Sequence, residues 1–216
     1  MKRILSILLI IASISCIYAN VFAANTEAAD MLSTLTEYGI MVGDENGDLS
    51  LYNQITRAEM AAMIYRISGQ PVQSNDTEDI IGFSDVPDDF WAAPYIKVLC
   101  SKKIINGFGD GTFKPNDFVT YEEVAAMVVR ALGYTFFANN LGGYPEGYVT
   151  VCMDLDLFEN IIFTTDQFVT RGTAANILYN TLDVPIVVQY GSEDEFKIMN
   201  GAYDDTPLKT WRMNFE

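Results

Sequence analysis

Asp44, Asn46 and Asp48 alternate along the chain as the opening ligands of a calcium loop do, and they are its nearest approach to a metal motif. The glycine, however, falls at Gly47 rather than after Asp48, and Ile55 stands where the closing glutamate belongs. Carboxylates are plentiful, with 29 acidic residues, but spacing alone sets no two of them across a cleft. There is no histidine, which removes Ser-His-Asp and Cys-His catalysis together with the commonest transition-metal ligand. No P-loop, H-E-x-x-H, G-x-S-x-G or G-x-G-x-x-G pattern is present. Cys100 and Cys152 could form a bridge in an exported protein, but each lies in an apolar helical pattern that suits a buried free thiol. The expectation is a non-enzyme with no catalytic residue, no cofactor and no metal.

The charge balance narrows the partners. Thirteen basic residues against 29 acidic ones give a formal charge of −16, which repels nucleic-acid phosphates and anionic lipid. At 216 residues, half of them hydrophobic, the chain is long enough to bury a core. Its start reads as an export signal: Lys2 and Arg3, an apolar run from Ile4 to Ile14, then Val21-Phe22-Ala23 before a cleavage point. A membrane anchor is the competing reading; the apolar stretch is short for a span and no basic stop-transfer cluster follows. Cys16 has the polar Ser13 three residues before it, against a lipid-acceptor role. A secreted, surface-located protein with no membrane contact after cleavage is expected.

Stepping from chemistry to scaffold, the chain repeats itself. Ile55-Thr56-Arg57-Ala58-Glu59-Met60-Ala61-Ala62-Met63 aligns without a gap on Val119-Thr120-Tyr121-Glu122-Glu123-Val124-Ala125-Ala126-Met127, an offset of 64 residues. The same offset carries Gly43 onto Gly107, Gly47 onto Gly111 and Gly69 onto Gly133. A third copy, Val169-Thr170-Arg171-Gly172-Thr173-Ala174-Ala175, follows the second at an offset of 50. Each copy has a first helix (around Leu35, Leu99 and Cys152), a Gly/Asp loop and a second helix. Thr56 with Glu59 and Thr120 with Glu123 form capping boxes, and Gly69 and Gly133 serve as C-terminal stops. One such unit cannot bury its apolar stripe alone, so the three must pack together.

Phe83-Ser84-Asp85-Val86-Pro87 with Trp91, Gly107-Phe108-Gly109-Asp110-Gly111-Thr112-Phe113 and Ile55-Thr56-Arg57-Ala58-Glu59 resemble the three motifs of the S-layer homology family. The resemblance covers roughly residues 25–185 and implies a mainly α fold: three helical-hairpin repeats packed as a pseudo-trimer with a central bundle. It implies non-covalent binding, in grooves between repeats, to a secondary cell-wall polymer, often anionic and pyruvylated, or to peptidoglycan-associated glycans. Carried over by motif, the polymer-binding candidates are Arg57, Arg171, Trp91, Gly107 and Gly109. A planar guanidinium beside a helix N-cap suits a sugar-borne carboxylate, and an indole face suits a sugar ring. Arg57 and Arg171 could also be plain surface arginines and Trp91 plain packing, while Glu59 and Glu123 read first as caps.

Departures from the family pattern are expected to weaken binding. Tyr121 replaces the arginine in copy two, Thr173 replaces the glutamate in copy three, and Tyr144 and Glu27 stand opposite Trp91 in copies three and one. The expected division is an export signal at 1–23, repeats at 25–70, 83–134 and 144–185, linkers at 71–82 and 135–143, and a β-rich tail or start of a further module at 186–216. A rival reading keeps the repeats but makes them an envelope protein–protein scaffold that has lost polymer binding.

Overall fold

The computed structural model describes residues 26–69, 82–189, 196–198 and 209–215. The expected export signal, and the 71–82 linker apart from Gly82, lie outside the described residues. The described chain is mainly helical: α1 (residues 26–37), α2 (Arg57–Ile67), α3 (Ala93–Ser101), α4 (Tyr121–Ala131), α5 (Thr135–Asn140), α6 (Glu146–Asp154) and α7 (Arg171–Thr181).

The second helix of each copy starts as its sequence demands. The Thr56 hydroxyl accepts the Glu59 N–H at 3.2 Å, and the Glu59 carboxylate accepts the Thr56 N–H at 2.9 Å. Thr120 and Glu123 repeat the exchange at 3.3 and 3.1 Å. Thr170 also accepts the N–H of Thr173, but Thr173 has no carboxylate to return the bond. Gly69 and Gly133 follow the helix ends at φ of 61° and 87°, the left-handed stop glycine supplies without a Cβ penalty.

These three helices, α2, α4 and α7, touch pairwise and form a central bundle. Their entry residues close a ring of backbone hydrogen bonds. Ile55 N–H donates to the Val169 carbonyl at 3.0 Å, Val169 N–H to Val119 at 2.9 Å, and Val119 N–H to Ile55 at 3.1 Å. All three residues are fully buried, where an unpaired backbone group would be costly. Short antiparallel bridges flank the ring at Gln54–Thr170, Thr56–Phe118 and Thr120–Phe168. The expected pseudo-trimer is therefore closed by main chain, and one hydrophobic cluster runs through all three copies.

The outer helices pair in a way the repeat unit does not suggest. α3 packs on α2 and α6 packs on α4, so the first helices of copies two and three lie on the second helix of the preceding copy rather than on their own. Cys152 is fully buried with its Sγ 3.9 Å from the Ala125 carbonyl, Cys100 is half-buried, and both are free thiols raised above their ordinary pKa by burial.

Two stretches differ from expectation. The 135–143 segment, expected as linker, carries α5, which packs against α6. Gly147 makes that approach possible, because a Cβ there would lie 1.9 Å from the Ala138 carbonyl oxygen. In the tail, β1 (Val187–Gln189) pairs antiparallel with β2 (Phe196–Ile198), as a β-rich tail should. Residues 209–215, within the tail expected to be β-rich, include instead a 3-10 turn at Arg212–Asn214, with the Trp211 side chain buried beside it. Helix C-termini leave carbonyls without partners, and the tail supplies donors to all three. Ser68 O accepts from Asn214 Nδ2 at 3.3 Å, and Leu132 O and Leu182 O accept the N–H groups of Val187 and Arg212 at 2.9 Å each.

Candidate functional site

Because the first helices pair one copy onward, each groove between copies draws on all three. The first groove, about 770 Å³, has the loop of copy one (Gly43, Asp44, Asp48), the α2 face at Arg66, Arg171 from copy three and Trp91 from copy two. The second, about 310 Å³, has the loop of copy two (Asn106, Gly107, Phe108), the α4 face at Arg130, Arg57 from copy one and Tyr144 from copy three. Each position of one groove has its counterpart in the other: Glu59 with Glu123, Arg66 with Arg130, Trp91 with Tyr144.

Arg171 and Arg57 are held the same way. Arg57 Nε donates to the Phe113 carbonyl at 2.8 Å, Nη1 to Glu123 Oε1 at 2.8 Å and Nη2 to the Asn106 carbonyl at 3.1 Å. Arg171 makes the equivalent bonds to Leu49, Glu59 and Val42 at 3.0, 3.0 and 3.2 Å. Both side chains are largely buried, at 5% and 14% exposure. Burial pushes the Arg57 guanidinium below its ordinary pKa, and the Glu123 carboxylate beside it opposes that shift. Each capping glutamate therefore uses one oxygen on its own helix and the other on the arginine of a neighbouring copy. Asp85, from the Phe-Ser-Asp motif, supports the same network: its two oxygens accept the N–H groups of Phe113 and Lys114 at 2.8 and 2.7 Å, fixing the carbonyl that receives Arg57 Nε.

A second arginine faces each groove. The Arg66 guanidinium lies 5.6 Å from the Tyr95 ring centre, and Arg130 lies 4.9 Å from that of Tyr148. Trp91 meets Tyr95 edge-on at 6.5 Å and Tyr144 meets Tyr148 at 6.4 Å, so in each case a tyrosine behind the groove wall touches both the arginine and the aromatic rim. Trp91 and Tyr144 are 52% and 54% exposed. The Tyr144 hydroxyl is pushed above its ordinary pKa by burial and then by Glu123 and Glu122.

The third interface lacks this equipment as a set. Tyr121 replaces the clamping arginine and packs edge-on against Phe163 at 5.6 Å; Thr173 replaces the glutamate that would have paired with it. Asn180 replaces the second arginine and donates to the Leu157 and Glu159 carbonyls at 3.2 and 3.3 Å. Glu27 and Met31 stand where Trp91 and Tyr95 would be. The two departures noted in copies two and three are thus one lost ion pair, seen from its two ends.

Of the sequence-derived candidates, Arg57, Arg171, Trp91 and Gly107 wall the two grooves. Gly107 has a packing reason to be glycine, since a Cβ there would lie 2.4 Å from the Phe83 ring. Gly109 is exposed at φ 80° and walls neither groove. Arg66 and Arg130 also wall the grooves and were not among the sequence-derived candidates, although the 64-residue offset already pairs them. Asp44 of the calcium-like loop spends one carboxylate oxygen on the N–H groups of Asn46 and Asp48, at 2.8 and 2.9 Å.

Residues 82–125 match the S-layer homology domain family. Among similar proteins, the Middle cell wall protein of Brevibacillus brevis is 32% identical over 185 residues, 82% of this chain and 17% of that protein. The Surface layer protein of Brevibacillus choshinensis is 32% identical over 162 residues, 74% of this chain and 14% of that one. The Cellulosome-anchoring protein of Acetivibrio thermocellus is 35% identical over 95 residues, 44% and 20% respectively. The chain spans a fifth or less of the length of these relatives. With its middle copy matched in sequence and three copies closed by one ring of backbone bonds, the chain belongs to the S-layer homology family.

Proposed function

We propose that this chain is a non-catalytic cell-surface anchor, exported behind a cleaved signal at 1–23, that holds the bacterial wall by binding an anionic secondary wall polymer in its first two grooves. The observation that carries the reading is the duplicated groove: two independent copies of an arginine pair beside an exposed aromatic platform, in a chain whose overall charge is −16. Arg57, Arg171, Trp91 and Gly107 form the walls, and Gly109 shapes the loop next to them. Local positive charge inside a concave, half-shielded site attracts an anion that the acidic surface as a whole would repel. The names of the wall, surface-layer and anchoring relatives agree with this location.

Co-sedimentation of the purified chain with cell-wall sacculi, before and after the secondary polymer is stripped, tests it. Binding that vanishes on stripping is expected. Equal pelleting with both preparations, or with neither, removes polymer binding. A scaffold reading, in which the chain docks another envelope protein, has one observation in its favour. The pocket at the third interface is lined by uncharged residues and carries Tyr52 and Ile162 at 95% and 87% exposure.

A further inference from the structure

Two arginines face each working groove, and they are in different electrostatic states. Arg57 and Arg171 each have Nε, Nη1 and Nη2 engaged by a carbonyl, a glutamate and a second carbonyl, with the glutamate oxygen at 2.8 and 3.0 Å. An anion arriving there meets a charge already neutralised and a carboxylate that repels it. Arg66 and Arg130 have no ion pair among the described residues. Arg66 makes one long bond, 3.5 Å to the Ile40 carbonyl, and Arg130 makes no side-chain hydrogen bond among the described residues. In a chain with 29 acidic residues against 13 basic ones, two half-buried arginines without a carboxylate partner, at equivalent positions, call for an external one. Both are held over a tyrosine ring, so the guanidinium is oriented while its hydrogen-bonding edge stays available. Where the set is lost, at the third interface, the position is Asn180, which turns its amide onto two backbone carbonyls.

We propose that Arg66 and Arg130 take the oxyanion of the wall ligand, a carboxylate or phosphate carried beside a sugar ring, and that Arg171 and Arg57 are clamps that hold the grooves' shape. This rests on the polymer-binding reading above and reassigns the contact within it. The sugar ring lies on Trp91 or Tyr144, and its acidic group reaches the guanidinium of Arg66 or Arg130 in the wall of the same groove.

Titration calorimetry of purified wall polymer against the wild-type chain and the Arg66→Gln/Arg130→Gln double variant tests the assignment. The double variant is expected to bind about 100-fold more weakly, as loss of charge-assisted hydrogen bonds implies, with an unchanged melting temperature and a shallower dependence of affinity on salt. The Arg66→Lys/Arg130→Lys variant should regain the salt dependence but only part of the affinity. Polymer amidated at its carboxylates and polymer treated to remove phosphate distinguish the two anion sources; wild-type binding should fail with one of them. Wild-type binding undiminished by both treatments, or a double variant that binds like wild type, overturns the assignment while leaving polymer binding intact. A wild-type chain that ignores the polymer overturns both readings.

Discussion

Glu59 and Glu123 show how much one side chain can be asked to do: one oxygen caps a helix and the other fixes a guanidinium from a different copy. The cap was legible, because Thr-x-x-Glu before an apolar run has a local cause. The ion pair was not, because its partner lies 66 residues away in one case and 112 in the other. Arg57→Ala should therefore act on folding first. Removing it strands the buried Phe113 carbonyl and leaves Glu123 Oε1 unpaired, a loss of about 3 kcal/mol, read as a lower urea midpoint. A change below about 0.5 kcal/mol, the range of ordinary surface substitutions, would show that the clamp is unimportant. Cys152, fully buried with its thiol pKa raised, should react with iodoacetamide only as fast as the chain opens, whereas the half-buried Cys100 should react sooner. Equal rates in the folded protein would contradict that burial.

At the scale of elements, the second helices and their stops followed from Thr, Glu and Gly positions, while the pairing of outer helices did not. An apolar face at Tyr95, Ile96 and Leu99 states that α3 must be covered, without stating by which helix. That choice decides which aromatic reaches which groove. Thr56→Ala and Thr120→Ala should each cost about 1 kcal/mol through loss of the cap, measurable by denaturant titration. The two Gly/Asp loops give a pH prediction. Asp44 is held below its ordinary value of 3.8 by the N–H groups of Asp48 and then Asn46, and Asp110 by the Thr112 hydroxyl and then its N–H. A depressed folded value means the loops gain stability that is present above 3.8 and lost as pH falls through the folded value. Carboxyl NMR titrations should place both midpoints below 3.8; a midpoint at or above that value would remove the turn bonds from the account.

For the molecule as a whole, three copies and a closed core could be read from the repeat, because one copy has too little apolar surface of its own. The tail could not, since nothing local in residues 209–215 announces that they belong under the bundle. Trp211 at 2% exposure and the donors to Ser68, Leu132 and Leu182 tie the tail to the ends of α2, α4 and α7 at once. Trp211→Ala should cost about 3 to 5 kcal/mol and should lower a single thermal transition rather than split it. Two separated transitions would mean that the copies unfold independently and that the ring of Ile55, Val119 and Val169 does not couple them.

A ring built from tandem copies also fixes how the protein can erode. The residues at Tyr121, Thr173 and Asn180 take the arginines and the glutamate from one groove and leave those of its neighbours in place. Loss of a whole copy is a different matter. Each groove takes its loop from one copy, its clamp from a second and its aromatic rim from a third. Losing any copy would leave neither of the two grooves with all three of its parts, so the geometry of each requires three copies.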